Sequence, residues 1–274
     1  MNRFESFMNN RAARAGTAIG TVVVATVVAV QLGSGSGTAS GIAFVDHALA
    51  TVAESPEVKS ENGWDIANID NKRVDMWVEI FTTRPKLRDR FAVWLERKPK
   101  YEPMISAKLA AKDMPQDLIY LAMIESGFNP KAYSHAHAGG LWQFIAETGQ
   151  RYGLTVNKRV DERNHPDKAT DAALEYLSDL HDRFGSWYLA AAAYNTGENR
   201  VGRLMREVTG KERGTDADYY RISSRLPRET RDYVPMMIAA ARITKDQAKY
   251  GFGPESEYRR TAKAEVAQEP MLSE

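Results

Sequence analysis

The 274-residue sequence contains no cysteine. That absence excludes disulfide staples, thiolate nucleophiles, zinc–cysteine centres and lipid attachment through a cysteine, while leaving the redox compartment open. An excess of one charge is also missing. Lysine and arginine total 37 against 36 aspartates and glutamates, a formal charge of +1, which supplies no basic footprint for nucleic acid. The sequence has no phosphate-binding glycine loop, nucleophile elbow or HExxH helix. His135 and His137 have no positioned third ligand. A polar loop accounts for them better than a metal centre does, so neither a metal nor a cofactor is expected.

Long apolar runs are confined to the N-terminus. Arg3, Arg11 and Arg14 precede an uncharged run from Ala15 to Leu32, the basic-then-apolar layout of an export signal. The run approaches the ~20 residues that span a bilayer, and small residues around Gly37 and Ala39 suit a signal peptidase. A cleaved signal and a retained anchor both fit, and either takes the protein out of the cytoplasm. The expected divisions are 1–32, signal or anchor; 33–70, a flexible linker that opens with GSGSGTASG; 71–112, a helical lead-in; 113–253, the main domain; and 254–274, a disordered tail.

From Asn71 the pattern is helical. Val74, Trp77, Val78 and Phe81 share one helix face, as do Leu87, Phe91, Trp94 and Leu95, and a further helix is expected from Tyr101 to Ala111. Asp113, Pro115 and Gln116 read as a cap and first turn. Pro166–Phe184, an alanine-rich Trp187–Tyr194 and Tyr233–Lys245 complete a mainly α domain with no convincing strand series.

One charge is out of keeping with its surroundings. In LAMIESGFNP, Leu121 to Pro130, Glu125 closes an apolar helix that Gly127 is suited to end. The negative end of the helix dipole and apolar neighbours both disfavour an ionised carboxyl there. A carboxyl held protonated is what a general acid needs. A hydrogen bond to a backbone amide, or a partner arginine, would also account for Glu125.

Downstream stand Ser134, then Gly139-Gly140-Leu141-Trp142-Gln143-Phe144, then Ala193-Tyr194-Asn195-Thr196-Gly197. In order and spacing these resemble the lytic transglycosylases of bacterial cell walls, with their Glu-Ser, Gly-Leu-(Met or Trp)-Gln and Ala-Tyr-Asn segments. Val160–Leu180 and Leu226–Ile243 look like connecting segments of the membrane-bound D-type branch, so the resemblance runs from about Asn71 to Gly253. The departures are His135, His137 and Gly139, where the family more often has proline, glycine and an apolar residue, and Ile145-Ala146-Glu147 in place of Met-Pro-X.

The resemblance implies a goose-lysozyme-like helical fold with a substrate groove. It implies Glu125 as the single catalytic acid, then base, in cleaving the bond between N-acetylmuramic acid and N-acetylglucosamine to leave 1,6-anhydromuramoyl ends. One carboxyl suffices where the nucleophile is carried by the substrate, whereas ordinary glycosidases need two. Glu147, Asp161 and Glu162 are the candidates for a second.

By the same resemblance Tyr194 orients the acid or stabilises charge, and Tyr233 ranks below it. Ser134 and Gln143 suit the N-acetyl or lactyl groups of the glycan. Asn195 belongs to the same set. Ser126 is a substrate contact or a local cap, and Trp142 is a sugar platform or core packing. The implied partner is peptidoglycan, with cell-wall or secretion machinery and the membrane as further candidates. The implied place is the periplasm, with residues 15–32 as an optional inner-membrane anchor. A goose-type hydrolase and a noncatalytic wall-binding scaffold are the competing readings.

Overall fold

The computed structural model describes residues 63–268. The expected export segment, most of the linker and residues 269–274 lie outside them. Helices form the domain, and no strand occurs among the described residues, in agreement with the mainly α expectation. No described helix is long and apolar enough to cross a membrane.

Helix α1 (Lys72–Thr83) begins where the Asn71 side chain accepts the Arg73 N–H, and α2 (Pro85–Ala111) opens on a proline, suited to a first turn whose N–H groups have no helical partner. The sequence reading divided α2 into two helices, but it runs unbroken through Pro99 and Pro103. Both prolines are exposed, so the backbone carbonyls they leave without donors belong to a solvent-facing stretch rather than the core. A 3-10 turn (Gln116–Leu118) leads into α3 (Ile119–Ser126). After a long loop come α4 (Ala146–Arg151), α5 (Pro166–Phe184), α6 (Trp187–Thr196), α7 (Glu198–Thr209), α8 (Asp216–Ser223), α9 (Arg228–Lys245) and α10 (Glu257–Ala267).

Every residue of α3 is buried. It packs on α9 and α2, while the alanine-rich α6 packs against α5 and α9, and alanines 190–193 are fully buried. Side chains this small let the helix backbones approach closely, which places the ends of α3, α6 and α9 around one region. The lead-in helices belong to the same core. Phe81, Phe91 and Trp94 pack at tilted and edge-on angles with centroids 5.0–5.7 Å apart, and the Trp94 ring occupies the space where a side chain on Gly127 would stand.

Three local expectations need correction. The start of the 3-10 turn is capped not by Asp113 but by Asp65, whose carboxylate accepts the Gln116 and Asp117 N–H groups at 2.5 and 2.9 Å. Asp65 lies in the expected linker, yet residues 63–70 pack on the domain: Ile66 is 2% exposed, and Tyr188 donates to the Ala67 carbonyl. The expected tail contains α10, which lies along α2, buries Ala262 and sets Arg259 3.0 Å from Glu96.

Candidate active site

Glu125 occupies the last full turn of α3. Gly127 ends that helix at φ 61°, its N–H bonded to the Met123 carbonyl at 2.8 Å. Glycine is needed on two grounds: the left-handed backbone conformation, and the Trp94 ring, which would lie 2.1 Å from a Cβ. The Glu125 side chain is therefore carried by a helix end packed directly against Trp94. It is 4% exposed, and the Tyr233 hydroxyl donates to its Oε1 at 2.7 Å.

Tyr233 comes from α9, 108 residues away in sequence, and is 1% exposed. Its turn is held from outside by Arg73 of α1, which pairs with Asp232 at 2.5 Å. The Tyr219 hydroxyl also bonds to the carbonyls of Thr230 and Arg231, at 3.0 and 2.9 Å.

The loop between α3 and α4 is folded by its own polar groups. Gln143 adopts a left-handed φ of 49°, an uncommon conformation for a side chain of its size. Its Nε2 donates to the carbonyls of Ala132 and Gly140, at 3.0 and 2.8 Å, which closes the loop. Gly140 also requires its residue type, because a Cβ would meet the Arg163 carbonyl at 1.7 Å. Ser134 accepts the Ala138 N–H at 3.1 Å, and the exposed His137 lies 3.2 Å from the Tyr133 hydroxyl through Nδ1.

Arg163 is the residue that sequence reasoning missed. It is buried, and its Nη1 donates to the Phe144 carbonyl at 3.0 Å and the His137 carbonyl at 2.6 Å, gripping both arms of the loop. Asp161 engages the same guanidinium through two oxygens, at 2.8 and 2.7 Å. Those bonds hold the Asp161 carboxyl below its ordinary value. The only signal in the sequence was an arginine inside a carboxylate-rich connecting segment, which does not reveal a partner some 20 residues upstream.

The proposed substrate contacts separate into two groups. Trp142 is fully buried, its indole N–H donating to Thr170 at 2.9 Å, so it packs the core and presents no face to a sugar. Ser126 donates to the Leu141 carbonyl at 2.8 Å, tying the loop to the end of α3. Tyr194 donates to the Trp142 carbonyl at 2.7 Å, and Tyr233 donates to Glu125. Of the other acids, Asp161 is held by Arg163, Glu162 pairs with Lys168, and Glu147 is exposed on α4.

Gln143, Tyr194 and Asn195 line one cavity of about 650 Å³, together with Phe144, Glu198 and Thr230. Asn195 accepts from the Thr230 hydroxyl at 2.8 Å, joining the ends of α6 and α9 across the floor. Glu125 is not a lining residue, but its partner Tyr233 follows Thr230 by one helical turn. A larger cavity of about 810 Å³, between α4 and α5, contains none of these groups.

Residues 102–216 match the family described as the transglycosylase SLT domain. Over that stretch the chain is similar to the SLT transglycosylase domain. The SLT match takes in Glu125, the Gln143 loop and Tyr194 but ends before Tyr233. Over 156 residues the chain is 39% identical to the membrane-bound lytic murein transglycosylase D of Escherichia coli K12, covering 57% of this chain and 34% of that protein. Over 145 residues it is 32% identical to the peptidoglycan transglycosylase gp16 of Escherichia phage T7, 52% of this chain and 10% of that one. The membrane-bound lytic murein transglycosylase C of Haemophilus ducreyi is 28% identical over 171 residues, 56% of this chain and 43% of the relative. The chain thus spans about a third of the length of the Escherichia coli relative.

Proposed function

We propose that this chain is a murein lytic transglycosylase and that Glu125 is its acid and base. The observation that carries the reading is the buried carboxyl at the end of α3, bonded to Tyr233 and set in the stretch similar to the SLT domain. Burial and the helix end favour the protonated acid, while the Tyr233 hydroxyl stabilises the carboxylate that remains after the proton has left. Glu125 gives its proton to the oxygen leaving as N-acetylglucosamine. The C6 hydroxyl of the muramoyl residue then bonds to its own anomeric carbon, and Glu125 takes up the hydroxyl proton. No water is consumed, and the product ends in 1,6-anhydromuramic acid.

Replacing Glu125 by glutamine keeps the shape and removes the proton cycle. Cleavage of purified glycan strands should vanish while strand binding survives. A Glu125→Gln protein that cleaves at the wild-type rate would reject the assignment. The goose-type hydrolase reading differs only in admitting water and is separated by the product. A scaffold would show binding with no cleavage in either protein. For location we propose the cell envelope, in keeping with the membrane-bound names of the relatives. Recovery of the full chain in the cytoplasmic fraction would refute this, and membrane retention against a shortened periplasmic form separates anchor from cleaved signal.

A further inference from the structure

The cavity that holds Gln143, Tyr194 and Asn195 is also lined by three guanidinium groups, Arg151, Arg200 and Arg228. Arg151 is paired with Glu198 at 3.4 Å. Arg200 and Arg228 have no carboxylate partner among the described residues. Nearby arginines are engaged: Arg183, Arg206, Arg221 and Arg225 each meet an aspartate or glutamate, and Arg213 and Arg231 donate to backbone carbonyls.

Their positions on their helices also disfavour a cation. Arg200 stands in the first turn of α7, and Arg228 is the first residue of α9. A cation there faces the positive end of the helix dipole, an arrangement that lowers stability unless an anion arrives. A guanidinium fork matches a carboxylate through two parallel hydrogen bonds, a geometry that neutral sugar hydroxyls do not exploit.

We propose that Arg200 and Arg228 form a carboxylate subsite that receives the acidic peptide stem carried by muramic acid. This rests on the murein-cleaving reading of the chain, with the cavity one helical turn from Tyr233 taking the strand. The preferred substrate is then a peptide-bearing strand with free stem carboxylates, and a strand stripped of peptide is a poorer one.

Calorimetry on the full chain carrying Glu125→Gln tests this without turnover. The probes are a disaccharide-peptide with free stem carboxylates and the same compound with those carboxylates amidated. The free form should bind about tenfold tighter, the scale of one charged hydrogen-bonded contact. Adding Arg200→Gln and Arg228→Gln should abolish that preference, whereas Arg203→Gln, which removes an arginine paired with Glu207 outside the cavity, should retain it. Equal affinity for the two probes, no binding of the free form at millimolar concentration, or a preference that survives the double change would each overturn the subsite. Cleavage of peptide-bearing strands by the wild-type chain tests the parent reading separately. If that cleavage fails, glycan cleavage is rejected, and the calorimetry still decides whether the carboxylate subsite exists.

Discussion

The Tyr233 hydroxyl offers the sharpest single-atom test of the site. Tyr233→Phe removes one oxygen from a position 1% exposed and takes a 2.7 Å donor from a carboxyl 4% exposed. Water has little access to replace it. A hydrogen bond to a charged acceptor contributes about 1.5–3 kcal/mol, which converts to about 10–150-fold in rate if it acts where Glu125 is ionised. Tyr194→Phe removes a bond of equal length to the neutral Trp142 carbonyl, a contribution of about 0.5–1.5 kcal/mol, or roughly 2–13-fold. Initial rates on purified glycan strands, at saturating and limiting substrate, separate kcat from KM. Urea midpoints on the same proteins show whether either change merely loosens the fold. Tyr233→Phe should lower kcat more than Tyr194→Phe, with little change in KM. A Tyr233→Phe protein with wild-type kcat, or one that outpaces Tyr194→Phe, would refute the reasoning.

Two further predictions concern the supports of the site. Gly127→Ala forces a left-handed alanine and a Cβ 2.1 Å from Trp94, so backbone strain and overpacking together should remove about 2–5 kcal/mol of stability, read from urea unfolding; an unchanged midpoint would show that the end of α3 is more yielding than described. Asp161, held low by Arg163, contributes stability that is fully present above the ordinary aspartate value of ~3.9 and is lost as pH falls through its lowered value. The stability gap between wild type and Asp161→Asn should therefore be full at pH 6 and shrink below about pH 4, whereas a gap constant across that range would contradict the Asp161–Arg163 clamp.

Short-range features were legible in the sequence. Gly127 as the end of the Glu125 helix follows from two adjacent residues, and Pro166–Phe184 coincides with α5 because its proline start, apolar face and glycine stop all lie within one segment. Long-range pairings were not. Asp65 caps backbone groups 51 and 52 residues away, so Asp113, a capping residue type in the right place, was the natural but wrong choice.

The two tyrosines show the same limit. Both sit in apolar helical segments, and their difference lies in which helix passes the end of α3, a consequence of packing that periodicity does not encode. Trp142 turned inward because Thr170 accepts its N–H in the core. Its neighbour Gln143 lines the cavity, so two adjacent residues of one motif point to different environments through the unusual backbone at Gln143.

The central claim is that Glu125 drives an intramolecular displacement with no water as nucleophile. The direct measurement is mass spectrometry of the new muramoyl ends when purified strands are digested in water enriched in oxygen-18. The expected products are 1,6-anhydromuramoyl ends that carry no heavy oxygen and are absent with Glu125→Gln. Reducing ends labelled at the anomeric position would contradict it and make the protein a hydrolase.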